Sequence, residues 1–161
     1  MSDNKIKVFI SYSWDDEEHK EWVRRLADSL ESDNDFHVIW DGYDLDNFSD
    51  KNEYMENAVF NSDYVVVVGT KKYKDKADNR SGGAGIETYL NSIVHWQGLE
   101  ENKKSKLILV LKEPDAEPNY LKGHMSIRFL DDNKYTSNIL ELKKALRKES
   151  LIKRPEKKRN N

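Results

Sequence analysis

Cysteine is absent from the sequence, which excludes disulfide bridges and thiolate metal sites at the outset. A chain without covalent staples suits a reducing compartment and must be held by its apolar core. At 161 residues that core is large enough for about one ordinary domain. Long apolar runs are lacking too. The opening Met1-Ser2-Asp3-Asn4 has none of the hydrophobic stretch of a secretion signal, and no segment reaches membrane-spanning length. The expectation is a cytoplasmic protein with no membrane partner. Neither sign of charge dominates: 27 Lys and Arg against 30 Asp and Glu leave a net charge of -3, which implies no general attraction to nucleic acid. The four histidines (His19, His37, His95 and His124) show no metal-ligand spacing, so no metal site is expected. There is no Gly-x-x-x-x-Gly-Lys phosphate loop, and the glycines at 82, 83 and 85 do not make the dinucleotide fingerprint. No Gly-x-Ser-x-Gly elbow is present, which sets serine acyl transfer aside.

What is present is an alternation of short apolar runs and amphipathic stretches. Ile6–Ser11 reads as a first strand, followed by Asp15 or Asp16 as a helix cap and by Trp22, Val23, Leu26, Ala27 and Leu30 at helical spacing. The residues from Phe36 to Trp40 predict a second strand, then comes an acidic loop with Gly42 as a turn residue, and a brief helix carrying Tyr54, Met55, Ala58 and Val59. Asp63–Gly69 is the strongest strand. Its apolar run does not alternate, which predicts burial on both faces of a parallel sheet. Thr70 to Gly85 reads as a long polar loop, and loops of that length in compact domains are usually functional. A helix with Ile86, Leu90, Ile93 and Val94 follows, then strands at Leu107–Leu111 and Ser126–Leu130 and a closing helix Ile139–Leu146. Residues 5–149 form one domain on this reading, and 150–161 a basic, proline-containing tail, either a chain end or a linker to a sensor or effector domain. The alternation predicts a doubly wound α/β fold, flavodoxin-like, with a five-stranded parallel sheet in the order 2-1-3-4-5.

Such a sheet binds ligands beyond the carboxyl ends of its strands, at the switch point between strands one and three. That topology brings together the loop after strand one, Tyr12-Ser13-Trp14-Asp15, and the glycine-dense approach to Glu87, Ser81-Gly82-Gly83-Ala84-Gly85-Ile86. Glu87 also fits a plain role at the positive end of a helix dipole. As a reactive group, a single carboxylate is insufficient for most glycosidases, which need a second to protonate the leaving oxygen. It is sufficient where the leaving group is a pyridinium base: nicotinamide departs from NAD+ as a neutral molecule, and one fixed anion stabilises the developing oxocarbenium charge.

The residues that carry a family likeness are Val8-Phe9-Ile10-Ser11-Tyr12-Ser13 with Asp15, Glu21-Trp22-Val23, Asp41-Gly42-Tyr43-Asp44-Leu45, Ser62-Asp63, Tyr73 to Arg80, and Gly82-Gly83-Ala84-Gly85-Ile86-Glu87-Thr88. Over roughly residues 5 to 149 the sequence resembles TIR domains, and more closely the bacterial TIR-like branch grouped with SEFIR domains. The resemblance implies that Glu87 holds the catalytic glutamate position of the NAD+-cleaving members. It implies too that Tyr12, Ser13 and Trp14 line the nucleotide. The segment Asp41, Gly42, Tyr43, Asp44 and Leu45 would belong to a loop that gates the site and mediates head-to-tail homotypic assembly. Many family enzymes carry a tryptophan four residues before the glutamate. Here that position is Gly83, so stacking falls to Tyr43, Tyr73 or Trp14. Each has a plainer alternative: Trp14 as core, Tyr73 as a loop anchor, Asp41 and Asp44 as turn residues.

The expectation is therefore an NAD+ glycohydrolase or ADP-ribosyl cyclase of bacterial antiphage immunity, with NAD+ as substrate, no cofactor, and activity raised by self-association. A non-catalytic TIR–TIR signalling adaptor and a nucleoside deoxyribosyltransferase-like enzyme are the competing readings.

Overall fold

The computed structural model describes residues 4–44, 50–79, 89–94, 106–148 and 155–157. The central sheet has five parallel strands: β1 (Ile6–Ser11), β2 (Phe36–Ile39), β3 (Tyr64–Gly69), β4 (Leu107–Leu111) and β5 (Met125–Arg128). Their order is β2-β1-β3-β4-β5, with registers such as Val8 opposite Val38 and Tyr64. The flavodoxin-like order expected from the alternation is the one found.

Parallel pairing obliges each connection to cross back over the sheet, and the crossovers supply the covering helices. Successive side chains on a strand point to opposite faces, so the apolar runs of β1, β3 and β4 feed two cores at once. Val8, Ile10, Val66, Val68, Ile108 and Val110 face one side. There they meet α1 (Glu17–Glu31) and α6 (Tyr135–Leu146) through Val23, Leu26, Leu30, Ile139 and Leu142. Phe9, Val65, Val67, Leu107 and Leu109 face the other side. They pack on α3 (Lys51–Asn61), α4 (Lys71–Asn79) and the helical residues 89–94, called α5.

Local signals set the helix starts. Asp16 caps α1, its carboxylate accepting the His19 N–H at 2.7 Å, and Asp50 caps α3 through the Asn52 N–H at 2.8 Å. Trp22, one of the residues at helical spacing on α1, is partly buried. It stands edge-on to Phe129 and Tyr135 while its indole N–H reaches Asp132 at 3.3 Å.

Two expectations are corrected. The stretch after Thr70 is not a long loop: it forms α4, which starts where the Thr70 hydroxyl accepts the Tyr73 N–H at 3.1 Å. The stretch after Trp40 begins with a short helix, α2 (Asp41–Asp44), and the Trp40 N–H donates to the Asp44 carboxylate at 3.2 Å. Gly42 serves close approach there rather than a turn. A Cβ added to it would lie 2.2 Å from the Trp40 ring, so only glycine lets α2 pack down on that indole. Among the described residues no helix is long and apolar enough to cross a membrane.

Candidate functional site

A cleft with about 730 Å³ of empty space, part of it open to solvent, lies where the loop after β1 leaves the sheet. Its most buried residues are Phe9 and Ile10 of β1, Tyr73 of α4 and Tyr89 of α5, with the buried Ser11 beside them. Its walls are Tyr12, Ser13, Asp41 and Met55, and the exposed Trp14 and Lys51 stand at its rim. The crossover geometry of the sheet accounts for the position. β1 and β3 are neighbours whose helices depart to opposite faces, which leaves a crevice between the loops that follow them.

Asp41 organises the near wall. It is buried, accepts the Tyr12 hydroxyl at 2.8 Å on one carboxylate oxygen and the Trp14 indole N–H at 3.1 Å on the other. Burial, reinforced by the Asp41 charge, pushes the Tyr12 phenol far above its ordinary range, so it stays a hydrogen-bond donor. Trp14 is 52% exposed yet fixed in direction by Asp41, and its ring is flanked by the ammonium groups of Lys20 and Lys51 at 5.0 and 5.2 Å. The core alternative for Trp14 therefore fails. Ser13 is buried, donates to the Asp15 carboxylate, and lies 3.4 Å from the Thr70 hydroxyl.

The bottom of the cleft is a knot of four hydroxyls. Ser11 Oγ is 3.1 Å from Tyr73 Oη, Tyr73 Oη is 2.6 Å from Tyr120 Oη, and Tyr120 Oη is 2.9 Å from Tyr89 Oη. Burial raises the pKa of all three phenols, which keeps the knot neutral. Tyr73 is thus an anchor rather than a stacking surface: its ring is 1% exposed.

Tyr43 does not line the cleft. Its ring stands edge-on to Trp40 at 5.0 Å and its hydroxyl donates to Asp28 on α1, while burial pushes its phenol up. Asp44 is likewise a structural cap on the Trp40 N–H, and burial raises its carboxyl. Glu87, Gly83, Leu45 and His95 lie outside the described residues. Of the aromatics considered for stacking, Trp14 alone combines exposure with a place on the cleft.

Several lining residues escape a reading of sequence alone. Lys51 and Met55 sit on α3 and Lys76 on α4, and Tyr89 belongs to α5. The Tyr73–Ala77 spacing, with Thr70 three residues before Tyr73, was the available sign that Lys76 rides on a helix. Among the described residues no group of three or more His, Asp or Glu is arranged to hold a metal ion.

The chain matches the family described as TIR domain over residues 8–143. No curated protein matches it. Among solved structures it resembles a prokaryotic SEFIR domain at 31% identity, with 96% of this chain and 100% of that one covered and a TM-score of 0.72. It shares a fold with the TIR domain of the Toll-related receptor TRR-2 from Hydra magnipapillata, at 19% identity, 87% and 97% coverage and a TM-score of 0.62. The same holds for the SEFIR domain of IL-17 receptor B, at 15% identity, 89% and 98% coverage and a TM-score of 0.56. With a family match over most of its length and its β2-β1-β3-β4-β5 sheet, the chain belongs to the TIR domain family, in the branch that includes prokaryotic SEFIR domains.

Proposed function

We propose that this TIR domain cleaves NAD+ at the bond between nicotinamide and ribose, in bacterial immune signalling, with Glu87 as the catalytic carboxylate. The observation that carries the reading is that Tyr89 lines the same cleft as Tyr12, Ser13 and Trp14. Glu87 precedes Tyr89 by two residues, and two residues of chain span at most roughly 7 Å. Covalent connectivity thus bounds the backbone separation of Glu87 from Tyr89, which supports the reading without fixing where the carboxylate points.

The chemistry asks little of the protein. The C1′–N bond breaks with its electron pair passing to the pyridinium nitrogen, and nicotinamide departs neutral without a general acid. The Glu87 carboxylate stabilises the positive charge that develops on the ribose. Water then adds at C1′ and loses a proton, giving ADP-ribose. If a nucleophilic atom of the same molecule adds instead, the product is cyclic. Trp14, held in direction by Asp41, supplies an aromatic wall for a base, and its fixed orientation lowers the entropy lost on binding. Homotypic assembly, head to tail, is the activating step on this reading.

The test is nicotinamide release from NAD+, followed by chromatography for the wild type and Glu87→Ala at protein concentrations that span assembly. Release by the wild type, reduced at least about a hundredfold in the variant, is expected for loss of a transition-state charge partner. Equal release by both removes Glu87 from the mechanism.

A scaffold without catalysis is the second reading. Tyr43, on the segment that the resemblance assigns to assembly, is 38% exposed and outside the cleft, which favours contact with another protein over contact with a nucleotide. That reading predicts self-association and no turnover at any concentration.

A further inference from the structure

The charges around the cleft are unequal in a way that the catalytic reading does not use. Two lysines line it, Lys51 at the start of α3 and Lys76 on the last turns of α4. Neither is in a salt bridge among the described residues, where the ion pairs use other cations. Three of the acids close to them in sequence are bonded to other groups. Asp50 caps α3 through the Asn52 N–H at 2.8 Å, and the Asp75 carboxylate accepts the Asn79 amide at 2.8 Å. Asp78 is paired with Lys74 at 2.6 Å and accepts the Asn119 N–H at 2.7 Å. Asp41, the carboxylate among the described lining residues, already receives Tyr12 and Trp14. The described lining therefore carries two ammonium groups against the single carboxylate of Asp41. Fields of one sign in a recess with low-dielectric walls draw in ligands of the other sign.

We propose that Lys51 and Lys76 form a clamp for the phosphates of a diphosphate-bridged nucleotide, so that the cleft selects nucleotides with a diphosphate over neutral nucleosides. The proposal rests on the cleft being the substrate site, and it separates that substrate class from the nucleosides of a deoxyribosyltransferase. Two phosphates carry two negative charges at neutral pH, one for each ammonium group. The Lys51 ammonium lies 5.2 Å from the centre of the Trp14 ring, so phosphate held by Lys51 leaves an attached adenosine beside that indole. The positive pyridinium of NAD+ is repelled from the same end by Lys20 and Lys51, which orients the dinucleotide with its adenosine half toward Trp14.

The experiment is calorimetric titration of the whole chain with ADP and with adenosine, for the wild type, Lys51→Gln, Lys76→Gln and Lys51→Arg. At low salt the wild type is expected to bind ADP at least about tenfold more tightly than adenosine, as hydrogen bonds between charged partners provide. That preference should shrink as salt is added. Each glutamine variant should lose about tenfold in ADP affinity and keep its adenosine affinity, and Lys51→Arg should retain ADP binding. Equal affinity of the wild type for the two ligands overturns the clamp, as does ADP binding unchanged in both glutamine variants, or no ADP binding at all. Nicotinamide release is a separate readout. If ADP binding depends on the lysines but NAD+ is not cleaved, the clamp stands and the catalytic reading falls. If NAD+ is cleaved with unchanged KM in both variants, the clamp falls and the catalytic reading stands.

Discussion

Asp41 is the residue on which the near side of the cleft depends. Its two oxygens take two donors from one loop, and without it the Tyr12 hydroxyl and the Trp14 indole N–H lose their acceptor in a part-buried setting. Asp41→Ala should destabilise the domain by about 1–3 kcal/mol. It should also speed hydrogen exchange at the Trp14 indole, read by NMR. An unchanged denaturation midpoint together with unchanged exchange would show that Asp41 orients nothing. His19 gives a second test at this scale. It is buried against Tyr12, and its Nε2 has no hydrogen-bond partner among the described residues. Burial lowers its pKa from 6.5, outweighing Asp15, Asp16 and Glu113, which pull it up, while Lys112 adds to the lowering. A histidine kept neutral in the folded state takes up a proton more readily once unfolded. The stability tied to it is therefore complete above pH 6.5 and is lost as pH falls from there through the lowered folded value. Melting temperature should drop across that window in the wild type, and His19→Gln should flatten the slope; parallel curves for the two proteins would contradict this.

At the scale of elements, the hydroxyl knot is the junction that ties β1, α4, α5 and the 3-10 turn Asn119–Leu121 together beneath the cleft. Tyr120 holds the middle of it, touching both Tyr73 and Tyr89. Tyr120→Phe removes one hydroxyl and leaves two buried phenols short of a partner, at a cost of about 1–3 kcal/mol. Amide exchange should rise in α4 and α5 and stay unchanged in α1 and α6, which pack on the other face of the sheet. Uniform change, or none, would mean that the knot does not couple these elements. The same region shows what a sequence discloses and what it hides. β3 was plain, because Val65 to Val68 are each 0% exposed and only a strand covered on both faces needs such a run. The helix α4 was hidden, because Lys71, Lys72, Lys74, Asp75, Lys76 and Asp78 leave only Tyr73 and Ala77 to mark its buried face. Lys51 and Lys76 were illegible as lining residues for a related reason. A lysine on a helix looks the same in sequence whether it faces water or a cleft, and tertiary placement decides which. Gly42 misled in the opposite direction: glycine suggests a turn, whereas here it clears room for the Trp40 ring.

For the whole molecule, the order β2-β1-β3-β4-β5 opens a crevice between the loops after β1 and β3, the place where sheets of this kind bind ligands. One loop supplies a fixed aromatic wall, two helices supply cations, and Tyr89 of α5 lines it from a third helix. The separation of roles also explains why Tyr43 stays outside: the segment that bears it is packed on Trp40 and tied to α1, leaving the cleft to the loop after β1. The central claim is that this crevice is where a dinucleotide is split at its pyridinium base. The most direct measurement is a crystal structure of the domain with a hydrolysis-resistant NAD+ analogue. The account predicts the nicotinamide ribose beside the Glu87 carboxylate and the adenosine half at Trp14. An analogue bound with that ribose away from Glu87, or a cleft closed by the protein's own side chains, would contradict it.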